Sequence, residues 1–98
     1  MTTATQPTAK NAQKLQVLGE PARLKILCLL FDWQEGCVSS IAEAGGASVA
    51  TTSYHLNTLA DHGYLTRHKD GRRVCYRIVE DDFVAGVREL LCLKKDAN

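Results

Sequence analysis

The chain has 98 residues, of which 45% are hydrophobic, and its formal net charge is only +1. This length predicts one small domain with a packed core and excludes a second domain. No apolar run is long enough to span a membrane and no signal peptide opens the chain, so we expect a cytoplasmic protein. In that compartment the four cysteines are expected to be thiols rather than structural disulfides.

Helical and strand patterns follow one another in an order that predicts a mostly α-helical domain with a two-stranded β wing. Residues 1–8 are expected to form a disordered tail, and the folded domain is expected to cover 9–95. In chain order, the predicted elements are a helix over 10–18, a helix over 22–31, a turn over 32–37, a helix over 39–45, a helix over 49–62, two strands around Asp70-Gly71, and a helix from 81 or 82 to 93. This order is that of a winged helix-turn-helix domain.

The helix over 49–62 has a polar face that suits a DNA groove. Its helical spacing places four residues inward, namely Val49, Thr52, Leu56 and Leu59. The opposite face is small or hydroxyl-bearing and almost uncharged, and it carries Ala50, Thr51, Ser53, Tyr54 and Asn57. Short side chains allow close approach to base edges, and Ser48 can cap the helix so that its first amides point toward a phosphate. We predict that this helix enters the major groove, with contacts from Ser48, Thr51, Ser53, Tyr54 and His55.

The hairpin around Asp70-Gly71 concentrates positive charge. Residues 65–78 contain five Lys or Arg residues against one Asp, a local net charge of +4 in a chain whose net charge is +1. This concentration predicts contact with the phosphate backbone or the minor groove, chiefly through Lys69, Arg72 and Arg73. The alternative is that these charges only keep the domain soluble.

Three segments of the chain resemble the ArsR/SmtB repressors. Residues 18–27 (LGEPARLKIL) resemble the family's opening motif, residues 53–59 (SYHLNTL) resemble its recognition helix, and residues 63–65 with 70–72 and Tyr76 resemble its wing. The resemblance extends over about residues 10–93. It implies a homodimer formed through the first and last helices, which binds an imperfectly palindromic DNA operator and is released by an effector. We expect neither enzymatic activity nor a cofactor.

The effectors of this family are bound by different residues, and the chain retains only some of them. Metalloid sensors carry a Cys-x-Cys pair near the start of the third helix, where this chain has only Cys37. Zinc and nickel sensors carry Asp and His pairs along the last helix, which contains no histidine here. Thiol-sensing members carry one cysteine in the second helix and one in the last. Cys28 matches the first position, and Cys92 lies about one helical turn before the second.

The resemblance therefore implies a repressor that is released when a persulfide or an oxidant reacts with Cys28 and Cys92. It implies no metal site. The alternative is release by a thiophilic metal or metalloid, such as arsenite or cadmium, through cysteines that include Cys37.

Each candidate residue also has a purely structural interpretation. Cys28 on an apolar helix face could be a packed core thiol, and Cys92 could serve dimer packing. Cys37 in the predicted turn could be an idle exposed thiol, whereas Cys75 is expected to pack within a strand. His55 lies at the border of the inward face, where a structural hydrogen bond competes with a DNA contact.

Two hypotheses belong to other classes of protein. A thiol enzyme or thiol carrier is disfavoured because the chain has no Cys-x-x-Cys motif and no His–Asp pair near a candidate nucleophile. A winged helix that serves only protein contact is disfavoured because a protein interface does not require one-sided positive charge.

Overall fold

The computed structural model describes residues 8–92, which form five α-helices and a three-stranded antiparallel sheet. In chain order the elements are α1 (Ala9–Gln16), α2 (Pro21–Trp33), β1 (Glu35–Cys37), α3 (Val38–Gly45), α4 (Val49–Asp61), β2 (Leu65–Asp70), β3 (Arg73–Ile78) and α5 (Asp82–Leu91). This order confirms the predicted winged helix-turn-helix. The predicted tail, apart from its last residue, and the predicted end of the domain over 93–95 lie outside the described residues.

Local sequence signals fix most of the helix ends. Ser48 caps α4, since its Oγ accepts a hydrogen bond from the Thr51 amide at 3.0 Å. Asp81 caps α5 in the same way, through a 2.9 Å bond from the Val84 amide to its carboxylate. Helix α3 ends before Gly46, whose φ of 67° lies in the left-handed region that glycine adopts without steric cost.

The sheet has one strand more than the sequence predicts. The segment 32–37 was expected to be a turn, and that prediction is wrong: α2 continues to Trp33, and Glu35–Cys37 forms β1. This strand pairs with the edge of β3 that β2 leaves open, so β3 is the central strand. A three-residue strand has too few residues to show an alternating pattern of its own, and only its partner stabilises it.

The wing is the hairpin of β2 and β3. Asp70 pairs with Arg73, so the two central residues of the turn are Gly71 and Arg72, one position later than predicted. Gly71 has a φ of 68°, which the first central position of such a tight turn requires.

The core lies between α2, the inward face of α4 and the base of the wing. Its fully buried side chains include Leu27, Leu30, Leu56, Leu59 and Tyr64. Two leucines of the outer helices lie outside this core: Leu15 of α1 is 54% exposed and Leu90 of α5 is 75% exposed. No helix among residues 8–92 is both long and apolar enough to cross a membrane.

Candidate nucleic-acid interface and thiol pairs

Helix α4 presents the polar face that the sequence predicts. Thr51 and Tyr54 are exposed, the latter by 61%, while Ser53 and Asn57 are half-buried at the side of the helix that faces the wing. The exposed N-terminal end of the helix carries the Ser48 cap described above. Together these residues form an uncharged surface with hydroxyl and amide groups, as close approach to DNA requires.

Val49 does not lie on the inward face of α4, and that prediction is wrong. It is 55% exposed. Because Val49 is the first residue of the helix, it precedes the turn that packs on the core and instead lines the groove beside the wing.

His55 has a structural partner within the domain. Its side chain is buried, and its Nδ1 accepts a hydrogen bond from Nε of Arg23 at 3.1 Å. The same guanidinium donates to the carbonyl of Val17 at 3.1 Å, so it links α4 to the turn between α1 and α2. Of the two interpretations of His55, the structure favours the structural hydrogen bond over the DNA contact.

Three of the predicted basic residues lie at the tip of the wing. Lys69, Arg72 and Arg73 are all exposed around the turn. Arg77, at the base of the hairpin, is instead paired with Glu35 of β1 at 2.7 Å, and Glu35 also lies 3.2 Å from His68. The tip therefore carries three exposed positive charges outside this ion pair, and Arg67, which is also exposed, adds a fourth in the groove described below.

Hydrogen bonds connect the wing to α4. The hydroxyl of Tyr76 on β3 donates to Oδ1 of Asn57 at 2.6 Å and accepts from Nε of Arg67 at 3.3 Å. Sequence reasoning did not find this connection, because nothing in the local pattern brings β3 next to α4. The hydrogen bonds border a groove of about 740 Å³ between the wing and α4, whose lining includes Cys37, Ser53, Asn57, Arg67, Arg73 and Tyr76. Of the predicted contacts, Ser53 of α4 and Arg73 of the wing thus meet in one concavity.

Cys28 and Cys92 lie together, outside the groove between the wing and α4. Cys28 is in α2 and Cys92 directly follows α5, and their Sγ atoms are 2.7 Å apart. The S–S bond of a disulfide is about 2.05 Å long, so a shift of less than about 1 Å would allow a bond to form. Both cysteines line a cavity of about 550 Å³ that also reaches Lys25, Thr51, His55 and Arg88.

Cys37 and Cys75 form a second pair, which the sequence did not predict. They are directly opposite each other in the ladder of β1 and β3 and are joined by a disulfide. The expectation that all four cysteines are thiols, with Cys37 idle and exposed, is therefore wrong, whereas Cys75 is packed as expected, since it is 1% exposed. A turn over 32–37, as the sequence predicts, gives Cys37 no strand partner, and no local pattern places it opposite Cys75.

The described residues contain no ready-made metal site. Within residues 8–92, no group of three or more His, Cys, Asp or Glu side chains is placed so that it could hold a metal ion. Cys37, the predicted alternative ligand, has Cys75 as its neighbouring sulfur.

Comparison with known proteins identifies the family. The model of the arsR family of bacterial regulatory proteins matches residues 20–67. The arsenical resistance operon repressor of Staphylococcus aureus is 33% identical over 73 residues, covering 71% of this chain and 69% of that protein. The chain belongs to the ArsR family.

A second relative of this ArsR-family protein is named as a transcriptional regulator of cadmium resistance. The cadmium resistance transcriptional regulatory protein CadC of Listeria innocua is 48% identical over 63 residues, which is 64% of this chain and 53% of that protein. The chain thus matches about half the length of this relative.

Solved structures support the fold assignment. The homodimeric winged helix-turn-helix DNA-binding domain of a possible ArsR-family regulator from Mycobacterium bovis superimposes with a TM-score of 0.73 at 28% identity, over 98% of both chains. The matched family and these relatives are regulators and not enzymes, so the thiol-enzyme hypothesis is set aside.

Proposed function

We propose that this ArsR-family protein is a homodimeric, sequence-specific transcriptional repressor that leaves its DNA operator when Cys28 and Cys92 react with a thiol-reactive signal. The observation that carries the DNA-binding part is the groove in which Ser53 and Asn57 of the polar face of α4 meet Arg67 and Arg73 of the wing. The observation that carries the signal is the 2.7 Å separation of the two sulfur atoms.

Helix α4 is proposed to enter the major groove. Thr51, Ser53 and Tyr54 contact base edges, while the capped N-terminal end at Ser48 lies against a phosphate. Lys69, Arg72 and Arg73 at the wing tip bind the backbone or the minor groove of the same site. His55 is not among the proposed contacts, because it is buried against Arg23.

The homodimer sets the form of the operator. Two copies related by a twofold axis present two α4 helices to successive major grooves, so the matching site is an imperfect palindrome. The exposed leucines of α1 and α5 provide an apolar surface for this assembly. The named M. bovis relative is itself homodimeric.

The signal acts by joining two helices. An organic disulfide is attacked by one cysteine thiolate to give a mixed disulfide and one thiol; the second thiolate then displaces the other thiol and completes the Cys28–Cys92 bond. The net reaction converts one organic disulfide and two cysteine thiols into one protein disulfide and two small thiols. A polysulfide reacts similarly and can leave additional sulfur in the bridge.

Formation of the Cys28–Cys92 bond is proposed to affect DNA binding through the packing of α5. In the dimer, the spacing of the two α4 helices depends on how α2 and α5 pack, because α2 contacts α4 and α5 lies at the proposed dimer interface. Tying Cys28 to Cys92 locks α2 and α5 in one relative position, and this locked arrangement is proposed to hold the two reading helices away from the spacing of the operator.

The experiment compares single serine variants in a DNA-binding assay, with the state of each sulfur followed by mass spectrometry. Cys28→Ser and Cys92→Ser are expected to bind operator DNA normally and to remain bound after treatment with polysulfide or an organic disulfide. Cys37→Ser and Cys75→Ser are the matched controls: whatever operator affinity each variant starts from, the same treatment should still release it. Release that persists in both Cys28→Ser and Cys92→Ser would eliminate the proposed signal while leaving DNA binding intact.

The alternative is release by a thiophilic metal or metalloid through cysteines that include Cys37. It is supported by the relatives, which are named for cadmium and arsenical resistance. Reduction of the Cys37–Cys75 bond would provide two adjacent thiolates, although such metals prefer three or more soft ligands. Release by arsenite or cadmium that is lost in Cys37→Ser and retained in Cys28→Ser would favour this alternative.

A further inference from the structure

The Cys37–Cys75 disulfide joins the helix-turn-helix to the wing. Cys37 is both the last residue of β1 and the residue that precedes α3, the first helix of the helix-turn-helix. Cys75 lies in the middle of β3, the inner strand of the wing. The covalent bond is placed where the three-residue ladder of β1 and β3 ends, so no further ladder hydrogen bonds hold the two segments beyond it.

The strand that carries Cys75 also orients the wing toward α4. Tyr76 is the next residue, and its hydroxyl is bonded to Asn57 of α4. A change in the position of β3 at Cys75 therefore changes the position of the wing tip relative to α4. Those two surfaces are the ones proposed above to contact the same DNA.

Only one of the two sulfur-bearing residues can be reached from solvent. Cys75 is 1% exposed, whereas Cys37 is half-buried and lines the groove between α4 and the wing. A small thiol in the groove can attack Sγ of Cys37, and the buried Cys75 then departs as the thiolate and takes up a proton.

We infer that Cys37 and Cys75 form a second thiol–disulfide exchange site, which reacts with small thiols through the groove and holds the wing in its DNA-binding orientation. In the complete exchange, two small thiols reduce the protein disulfide to two cysteine thiols and leave as one small disulfide. The inference rests on the proposed DNA-binding function. Oxidation has opposite effects at the two pairs: it favours DNA binding at Cys37 and Cys75, and it causes release from DNA at Cys28 and Cys92.

Reduction of the Cys37–Cys75 disulfide by a small thiol and binding of DNA compete for the same groove. DNA that occupies the groove excludes a small thiol from Cys37, so bound DNA protects the disulfide. Linkage adds an equilibrium effect: because the oxidised form is proposed to bind DNA more tightly, bound DNA must shift the thiol–disulfide equilibrium toward the disulfide by the same factor.

The test uses the Cys28→Ser/Cys92→Ser variant, in which only the second pair can react. Its oxidised form and its form reduced with dithiothreitol are compared in DNA affinity and in amide hydrogen exchange along β3 and α3. The reduced form is expected to bind DNA at least about fivefold more weakly, the low end of typical couplings between two sites. Its β3 amides should exchange faster, and reoxidation with oxidised glutathione should restore both properties.

Two controls make the result specific. Adding Cys37→Ala and Cys75→Ala to the same background should give the weaker affinity with and without dithiothreitol, which excludes a general effect of the reductant. Operator DNA should slow the reduction of the disulfide in the oxidised form.

The outcomes separate the inference from the proposed function. Equal DNA affinity in the oxidised and reduced forms overturns the inference and leaves the repressor intact. If neither form binds any DNA, the proposed function fails. Hydrogen exchange alone then tests whether the disulfide orders the wing. Amides of β3 and α3 that exchange equally fast in the oxidised and the reduced form would overturn that role as well.

Discussion

Two tyrosines show how burial determines the role of a single residue type. Tyr54 is 61% exposed on α4, where its ring and hydroxyl are available to a partner. Tyr64 is completely buried between α1 and the base of the wing, and its hydroxyl donates to the carbonyl of Lys14 at 2.8 Å. The first is therefore expected to affect DNA recognition and the second to affect stability.

Tyr54→Ala should reduce the preference for operator DNA over random DNA. Loss of a good base contact costs roughly 1–3 kcal/mol of discrimination. The measurement is a pair of binding titrations, with an operator selected from random duplexes and with an unselected duplex. Tyr54→Phe is the control, since it keeps the ring and removes only the hydroxyl. Equal weakening on both duplexes would show that Tyr54 does not read bases.

Tyr64 should make the folded state sensitive to alkaline pH. Burial raises the pKa of Tyr64 from 10.0 to about 12. In the unfolded chain the phenol ionises near its ordinary pKa, so the stabilisation is complete below pH 10 and is lost as pH rises from about 10 to 12. Urea unfolding at several pH values should show that the stability of the natural protein falls more steeply over this range than that of Tyr64→Phe.

The phenylalanine variant separates two effects of the hydroxyl. It should be less stable at neutral pH by about 1 kcal/mol, since it lacks the hydrogen bond to Lys14. The gap between the two proteins should then narrow above pH 10, where the tyrosine of the unfolded chain begins to ionise. Parallel pH profiles would contradict the assignment of the alkaline effect to Tyr64.

Among the elements, the wing has charges of two kinds. Lys69, Arg72 and Arg73 are exposed at the tip, whereas Arg77 at the base is held by Glu35. A count of basic residues along the hairpin treats them alike, but a charge that is already paired contributes little to the attraction of a polyanion. In the proposed complex, the exposed wing tip rather than the base of the hairpin is expected to provide most of the electrostatic attraction.

Replacing both Arg72 and Arg73 with Ala should weaken binding to every DNA sequence. The dependence of log affinity on log salt concentration should become shallower by about one to two ions, because fewer phosphates are neutralised. The measurement is a salt series of binding constants on random duplex DNA. Arg77→Ala is the matched control on the same hairpin and should leave the slope nearly unchanged. An unaltered slope in the double variant would show that the tip does not touch DNA.

For the molecule as a whole, the outer helices leave apolar surface that the domain does not cover. Leu15 of α1 and Leu90 of α5 are more than half exposed. A domain of this size buries a smaller fraction of its surface than a larger one, so covering these leucines in the proposed homodimer would add to its stability. The same contact would then set the distance between the two proposed reading helices.

Leu90→Glu should therefore dissociate the proposed dimer. A buried carboxylate on each side of the twofold axis would meet apolar surface without a partner. Sedimentation velocity at matched concentrations measures the change. Val49→Glu is the control, because it places the same charge on an exposed apolar residue of α4, away from α1 and α5. A natural protein that sediments as a folded monomer would contradict the dimer.

The sequence by itself determined the elements whose signals are local. Helical spacing, the Ser48 cap, the left-handed Gly46 and the glycine of the wing turn each act within a few residues, so the order of helices and the wing could be predicted. The polar face of α4 could be predicted from the same periodicity. The exposure of Val49, the first residue of the helix, could not.

Only the tertiary structure decided which distant residues meet. Strand β1 exists because β3 offers it an edge, and it places Cys37 opposite Cys75, 38 residues away. The burial of His55 against Arg23 depends on how α4 packs on the first helices, and the pairing of Arg77 with Glu35 depends on β1. The approach of Cys28 to Cys92 joins positions 64 residues apart. Such contacts are set by the packing of whole elements, which no local pattern of side chains specifies.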